Sequence, residues 1–401
     1  MIIPVCVGNL AQLLEVVNKI KMTNDLNIMF LLPVASQPRY FKRIESLAEL
    51  GIGNRIYSFE REYFKGKQDT MEYKSLGKIS HGKYFSRIMP IIKALLKIQK
   101  ELHSTSCLYA FGLDCAFIGV LGNVFLRTKN KQLIIYECAD IRSIFLGAGF
   151  KNILFRFLER WVIKRCYLIV TTSPAFIEEY FINIQKQRPS KFYLLENKIK
   201  EPVPEPLKHK NWQGERPLII GYFGTLRCQR TLHILVELVR RHPTKFKAYI
   251  RGYNFGINDM EKIIENEENI EYGGTYINPD DLSEIYGKVD IVWAAYQVNN
   301  TPEGINRKWA MRNQFYEACY YRTPMIVQRN TLGAKRVQEL QIGMAVDMDN
   351  TLDTINYLNK IQPENLLVWI KSIIELPQNF YVYEDEHEKL FLLIKGGLRG
   401  E

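Results

Sequence analysis

A chain of 401 residues with 47% hydrophobic and 12% aromatic content is too apolar to be disordered and too long for one ordinary core, so two domains are expected. Its net charge of +11 is unevenly placed: residues 1–200 hold 30 Lys and Arg against 16 Asp and Glu, and the remainder 24 against 27. A basic half beside a slightly acidic one suggests that one domain faces a polyanion such as nucleic acid or an anionic bilayer, although solubility alone also accounts for it.

In chain order, MIIPVCVGNL lacks a charged leader region and a small-residue cleavage site, and is read as a first strand rather than a signal peptide. Strands at 2–6, 27–34 and 55–59 alternate with helices at 9–21 and 41–50, the pattern of a parallel sheet. Only Gly8 follows the first strand. The absence of a GxGxxG fingerprint argues against a nicotinamide or flavin enzyme. Residues 60–82 are polar and read as a loop. Residues 83–100 form a basic amphipathic helix carrying Lys93, Lys97 and Lys100, which suits either an anionic lipid surface or packing on the domain's own sheet. The apolar run 107–126 contains Asp114 and three glycines, so it is read as strand, turn and buried helix rather than a membrane span. The seven cysteines include no CxxC pair and sit mostly in apolar stretches, as reduced thiols of a cytosolic protein do.

The strand 132–138 ends in Glu137-Cys138-Ala139-Asp140-Ile141-Arg142, placing carboxylates at the carboxyl edge of a parallel sheet, where such folds do their chemistry. Asp140, with Glu137 as the fallback, is the candidate catalytic base, kept ionised by Arg142; the alternative is that Asp140 caps the next helix. A second basic aromatic helix spans 150–166, and its Arg156, Arg160 and Trp161 join the three lysines as candidate membrane or acceptor contacts. A strand at 167–172, a helix from Pro174 to about Ile184 and a strand at 192–196 complete the first domain. The proline-rich stretch 197–217 is the linker.

A second alternation follows: strands at 218–223, 246–250, 269–272, 289–294, 324–328 and 343–346, with helices at 231–241, 259–267, 279–287, 312–321 and 332–340. The expected architecture is α/β, two Rossmann-like doubly wound domains facing across a cleft: residues 1–200, a linker at 201–216, residues 217–375, and a terminal helix in 376–401 that crosses back to the first domain. Within the stretch 311–328, MRNQFYEACYYRTPMIVQ, Glu317 lies on a short helix before a buried strand, where a carboxylate suits ribose hydroxyls; the helix dipole alone would also favour it there.

These residues resemble a group 1-type retaining glycosyltransferase of the GT-B fold, most clearly from about 132 to 346. IGYFGTLRCQR at 220–230 is similar to the family's glycine turn and its following cation, so the resemblance assigns Gly224, Thr225, Arg227 and Arg230 to the donor diphosphate. AYIRGY at 248–253 adds Gly252 and Arg251; Asn313, Gln314, Glu317 and Pro324 fall on the family's donor-binding helix, with Glu317 holding the ribose. The chain departs from the family at Trp309, where another Glu is common, which moves reading of the sugar to Glu303 or the 297–310 loop. It departs also at Arg322, which replaces a helix-ending glycine.

The resemblance implies a cytoplasmic enzyme, peripheral on the inner face of the membrane, moving a sugar from a nucleotide-sugar donor to a lipid-linked saccharide or glycan acceptor in bacterial envelope polysaccharide synthesis. It implies no cofactor and no metal, with fixed cations serving the diphosphate. Two other classes remain open: a sugar-nucleotide 2-epimerase of the same fold, and a non-catalytic scaffold that binds polyanions. No helix-turn-helix, zinc or RNP-like signature supports nucleic acid as the partner.

Overall fold

The computed structural model describes residues 26–61, 72–79, 85–125, 131–187, 192–206, 212–299 and 301–399. The strand expected at 2–6, the helix at 9–21, and with them Cys6 and Gly8, lie outside the described residues.

The first domain is a seven-stranded, all-parallel sheet built from β1 (Asn27–Leu32), β2 (Gly53–Glu60), β3 (Lys74–Lys78), β4 (Cys107–Phe111), β5 (Leu133–Cys138), β6 (Leu168–Thr171) and β7 (Phe192–Leu194) in the order β3-β2-β1-β4-β5-β6-β7. Its central strands, such as Cys-Leu-Tyr-Ala-Phe in β4, are buried along their whole length because helices cover both faces. Helices α1 (Pro38–Glu49), α2 (Ile88–Leu102), α3 (Leu113–Phe125) and α4 (Phe150–Ile163) supply that cover, and the segment Phe176–Ile184 is wound as a π-helix. β3 falls inside the expected 60–82 loop. Its Lys-Ser-Leu-Gly-Lys sequence is that of an edge strand whose lysines discourage further pairing, so it lacks the apolar alternation that would have revealed it.

The second domain has a six-stranded parallel sheet of β8 (Leu218–Leu226), β9 (Phe246–Asn254), β10 (Ile270–Tyr272), β11 (Ile291–Trp293), β12 (Met325–Gln328) and β13 (Gly343–Val346), ordered β10-β9-β8-β11-β12-β13. In both sheets the order runs outward in one direction from the first strand, then reverses, which defines one switch-point crevice at each carboxyl edge. Helices α5 (Gln229–Arg241), α6 (Met260–Glu265), α7 (Leu282–Gly287), α8 (Pro302–Trp309), α9 (Asn313–Tyr320) and α10 (Leu332–Glu339) alternate with these strands. α8 corrects the loop expected at 297–310. Thr301 caps it by accepting from the Gly304 amide at 3.2 Å, and its Trp309 and Ala310 pack on the hydrophobic core of the first domain.

After α11 (Thr351–Leu358) and α12 (Pro363–Glu375), the chain returns to the first domain, where α13 (Glu386–Arg399) packs on α1. Ile199, just beyond β7, bridges Val382 on this return path, and Arg43 of α1 meets His387 of α13 at 2.8 Å. Burial, then the Arg43 and Lys200 charges, push His387 down to about 2, so the ring is neutral and accepts from the guanidinium. Among the described residues no helix is long and apolar enough to cross a membrane.

Gly252 sits opposite Gly224 in the β8–β9 pair, with φ +145°. A Cβ there would lie 1.8 Å from the Gly224 carbonyl oxygen, which no side-chain movement relieves. Gly252→Ala is therefore expected to lower unfolding free energy in urea by at least about 2 kcal/mol, the range of overpacking and backbone strain. An unchanged urea midpoint would show that β9 can shift away from β8 freely.

Candidate functional site

The turns after β5 and α8 bring the two domains together. The Ile141 amide donates to Asn306 Oδ1 at 2.9 Å, Asn306 Nδ2 approaches Asp140 Oδ1 at 3.4 Å, and Ser173 Oγ donates to the Trp309 carbonyl at 2.5 Å. Above this seam lies an interdomain cavity of about 340 Å³ lined by Asp140, Ile141 and Ser143 from one side and by Arg227, Tyr296, Glu303, Asn306, Arg307, Ala310 and Arg312 from the other.

Asp140 projects its half-exposed carboxylate into this cavity and is held by Arg39 Nη1 at 2.9 Å. It caps no helix: the next helical turn, Ser143–Phe145, starts from Arg142. Two details of the expected arrangement change. Arg142 pairs with Asp114 at 3.0 Å instead of Asp140, and the cation beside Asp140 is Arg39, 101 residues earlier. Glu137 is unsuited to the fallback role, because its buried carboxylate, near the end of β5, is committed to Arg43 Nε at 3.1 Å and to Tyr109 Oη at 2.5 Å.

On the opposite wall, Arg312 stacks on the Tyr296 ring with its guanidinium carbon 3.6 Å from the centroid. Burial, opposed by Tyr296 and aided by the Arg307 and Arg227 charges, pushes its pKa below the usual arginine value. Among the described residues no carboxylate pairs with Arg227, Arg307 or Arg312; Arg307 makes one bond, to the Gln297 carbonyl at 3.1 Å. Gly224, with φ +101°, leaves open space above its Cα, and the nearest side-chain atoms to a Cβ there are Gln314 Nε2 at 3.7 Å and Tyr276 Oη at 4.0 Å. Thr225 follows, half-buried in β8.

Other expected donor contacts are placed differently. Arg230 lies in the first turn of α5 and reaches Thr351 Oγ1 at 3.3 Å, outside the cavity lining. Arg251 donates to Tyr249 Oη and to the Thr275 carbonyl, both at 2.9 Å. Asn313 is exposed at the start of α9, and Gln314 is buried with Nε2 on the Phe223 carbonyl at 2.6 Å. Glu317 does not present a free carboxylate to a ribose: its two oxygens accept from Asn278 Nδ2 and Tyr286 Oη, each at 3.1 Å, beneath α9. Burial raises its pKa, opposed by Lys42 of α1, Tyr286 and Asn278.

The membrane candidates separate into two groups. Lys93 and Lys100 are exposed on α2, whereas Lys97 donates to the Ser75 carbonyl at 2.5 Å. On α4, Arg156 is turned inward to the Phe145 and Gly147 carbonyls, Arg160 to Gln185, and Trp161 packs edge-on against Phe117 at 5.9 Å. The exposed apolar residues of α4 are Phe150, Ile153, Leu154 and Phe157, and those of α2 are Ile88, Met89, Ile92 and Leu96.

Sequence reasoning passed over Arg39, Arg307, Arg312 and Asn306. Their one available signal is position: Arg39 follows the expected strand 27–34, and the other three crowd the segment just before Asn313.

Two switch-point sheets of this order, meeting across a cleft, give the chain the GT-B fold of glycosyltransferases. No protein-family model matches the chain. The succinoglycan biosynthesis protein ExoL of Rhizobium meliloti (strain 1021) is 28% identical to it over 354 residues, covering 84% of this chain and 85% of that protein. Sucrose-phosphate synthase from Thermosynechococcus elongatus superposes with a TM-score of 0.69 at 14% identity, covering 94% of this chain and 100% of the other. HepE from Anabaena, in complex with UDP, gives 0.63 at 12% identity, covering 92% and 100%.

The raised pKa of Glu317 has a definite sign in stability. A carboxyl that binds its proton more tightly when folded contributes stability at low pH, and that contribution is lost as pH rises from the ordinary glutamate range through the raised folded value. The difference in urea midpoint between wild type and Glu317→Gln should therefore move in favour of the variant across that window. A constant difference would mean that Lys42 and the two donors fully offset burial.

Proposed function

We propose that this protein is a glycosyltransferase that moves a sugar from a nucleotide-sugar donor to an acceptor in bacterial polysaccharide assembly, with the donor diphosphate held by Arg227, Arg307 and Arg312. The observation that carries this reading is the gathering of three guanidiniums, without a described carboxylate partner, opposite Asp140 in the interdomain cavity. A glycosyl diphosphate accumulates charge on the leaving group as its C–O bond breaks. Fixed cations facing that group stabilise the transition state more than the ground state, without reorganisation. On this reading they serve the diphosphate without a metal or cofactor, and Gly224 leaves room for its approach.

The direct support from relatives is ExoL, named for succinoglycan biosynthesis, together with HepE, whose structures contain UDP and UDP-glucose. Uridine diphosphate sugars are therefore the first donors to test. Asp140, held by Arg39 and Asn306, takes the proton of the acceptor hydroxyl as the new bond forms.

The same reading places the first domain against an anionic bilayer on the inner face of the membrane, where a lipid-linked acceptor would be presented. Support comes from two helices: α4 exposes Phe150, at 80%, and Phe157, at 64%, and α2 exposes an aliphatic row together with Lys93 and Lys100. Apolar insertion and lysine attraction, at about 1 kcal/mol per near-surface charge, act together on such a face.

Arg312→Ala is expected to lower kcat by about 10²-fold or more with a smaller change in donor KM, because the lost charge matters most as the leaving group forms. Asp140→Asn should retain donor affinity and lose about 100-fold in kcat. Wild-type turnover in both, measured by release of UDP from UDP-glucose and UDP-galactose with a cell-extract glycolipid acceptor, would contradict the assignment.

For the surface, Phe150→Ser with Phe157→Ser, and separately Lys93→Gln with Lys100→Gln, should each reduce co-sedimentation with phosphatidylglycerol vesicles, the lysine pair mainly at low salt. Equal binding by all variants would place the contact elsewhere.

A further inference from the structure

A second cavity, of about 180 Å³, opens at the carboxyl edge of the first sheet, in the crevice between the loops after β1 and β4. It shares one wall, Asp140, with the interdomain cavity. Tyr40, Phe111 and Phe145 give it aromatic sides, and Arg39, Arg61 and Arg142 also line it.

The carboxylates around it are already committed. Asp114, which backs the cavity, takes Arg87 at 2.7 Å and Arg142 at 3.0 Å; Asp140 takes Arg39; Glu137 takes Arg43. Although burial opposes it, the Arg142 and Arg87 charges hold Asp114 below the usual carboxylate range, so it is fully used as a counter-ion. Arg61 makes no direct ion pair with any of them, although its charge also acts on Asp114. Its Nε and Nη2, and Nε of Arg39, are buried with no hydrogen-bond partner. A buried donor left unsatisfied costs about 1–3 kcal/mol, more when charged, so these groups call for acceptor atoms from a ligand. The planar guanidinium fork matches phosphate and carboxylate oxygens, and binds neutral hydroxyls less strongly.

We propose that this cavity binds an anionic group, phosphate or carboxylate, of the sugar acceptor, with Arg61 as its principal ligand and Arg39 as the second. The acceptor is then acidic close to its reacting hydroxyl, which Asp140 in the shared wall reaches from the same side. The identity of the ligand as the acceptor rests on the glycosyltransferase reading above; the anion site itself does not. The anion has two chemical sources, the phosphate of a lipid-diphosphate carrier or the carboxylate of an acidic sugar.

The test is isothermal titration calorimetry of the full chain with inorganic pyrophosphate, with glucuronate and with glucose, on the wild type, Arg61→Gln, Arg39→Gln and Arg312→Gln. Wild type should bind an anion at a site that weakens by about tenfold or more in R61Q and R39Q but persists in R312Q, while glucose gives no heat. Pyrophosphate as the ligand of that site assigns the phosphate source, and glucuronate the acidic sugar. Anion binding that survives in R61Q and R39Q and disappears only in R312Q would overturn this proposal while leaving the donor site intact. Given the loss in R61Q and R39Q, a second pyrophosphate site that is lost only in R312Q supports the donor assignment as well, whereas pyrophosphate binding wholly unaffected by R312Q upholds this proposal and counts against the donor site. No anion binding by the wild type would overturn it outright. Unchanged thermal unfolding of R61Q, whose Nε and Nη2 hold nothing in the fold, separates loss of the site from loss of structure.

Discussion

The Arg43–Glu137 ion pair is the constraint on which the first domain's geometry depends. Both side chains are about 2% exposed, in the middle of the protein, and the pair is completed by Tyr109 from β4 and His387 from α13. Two charges taken from water this completely need every lone pair and proton engaged; removing one partner of such a pair typically costs about 3–5 kcal/mol. The network therefore locks the end of β5, helix α1 and the returning C-terminal helix into one register. The turn carrying Asp140 begins at the very next residues, so its position is inherited from that lock.

From there the site is assembled by topology. Both sheets reverse their strand order at the first strand, and both crevices open at carboxyl edges that face the seam between domains. One edge contributes a carboxylate held by Arg39, the other three guanidiniums and a glycine without a side chain in the way. The charges are complementary across the gap but are not paired directly, which leaves room for a ligand that carries both a leaving diphosphate and a sugar.

Much of this architecture was legible in the amino-acid order because parallel strands buried on both faces appear as short apolar runs, such as Leu-Ile-Ile-Tyr in β5 and Met-Ile-Val in β12. Asp140 was legible for the same reason, as the polar residue just past such a run. β3 and α8 were not, since one is a lysine-bounded edge and the other a short polar helix stabilised by its Thr301 cap and by contact with the other domain. Arginines were the hardest to read. Arg156 and Arg160, read as membrane or acceptor contacts, and Arg251, read as a donor contact, satisfy backbone carbonyls or neighbouring side chains, whereas Arg39 and Arg312, which the sequence did not single out, line the cavities. A guanidinium's role is set by which acceptors lie within reach of a long side chain, and those come from residues distant in the chain.

Asn306 links the two halves of the site through a single side chain. Its carboxamide holds the Ile141 amide and Asp140 on one domain, while its own helix also carries Arg307 and leads to Arg312 on the other. On the proposed reading, a movement of α8 that accommodates a diphosphate is passed through Asn306 to Asp140. If the two proposed substrates are coupled through it, linkage makes that coupling reciprocal: whatever factor the first contributes to the affinity of the second, the second returns to the first. On that reading, an amide placed in this way couples the binding of the two substrates without a dedicated regulatory site.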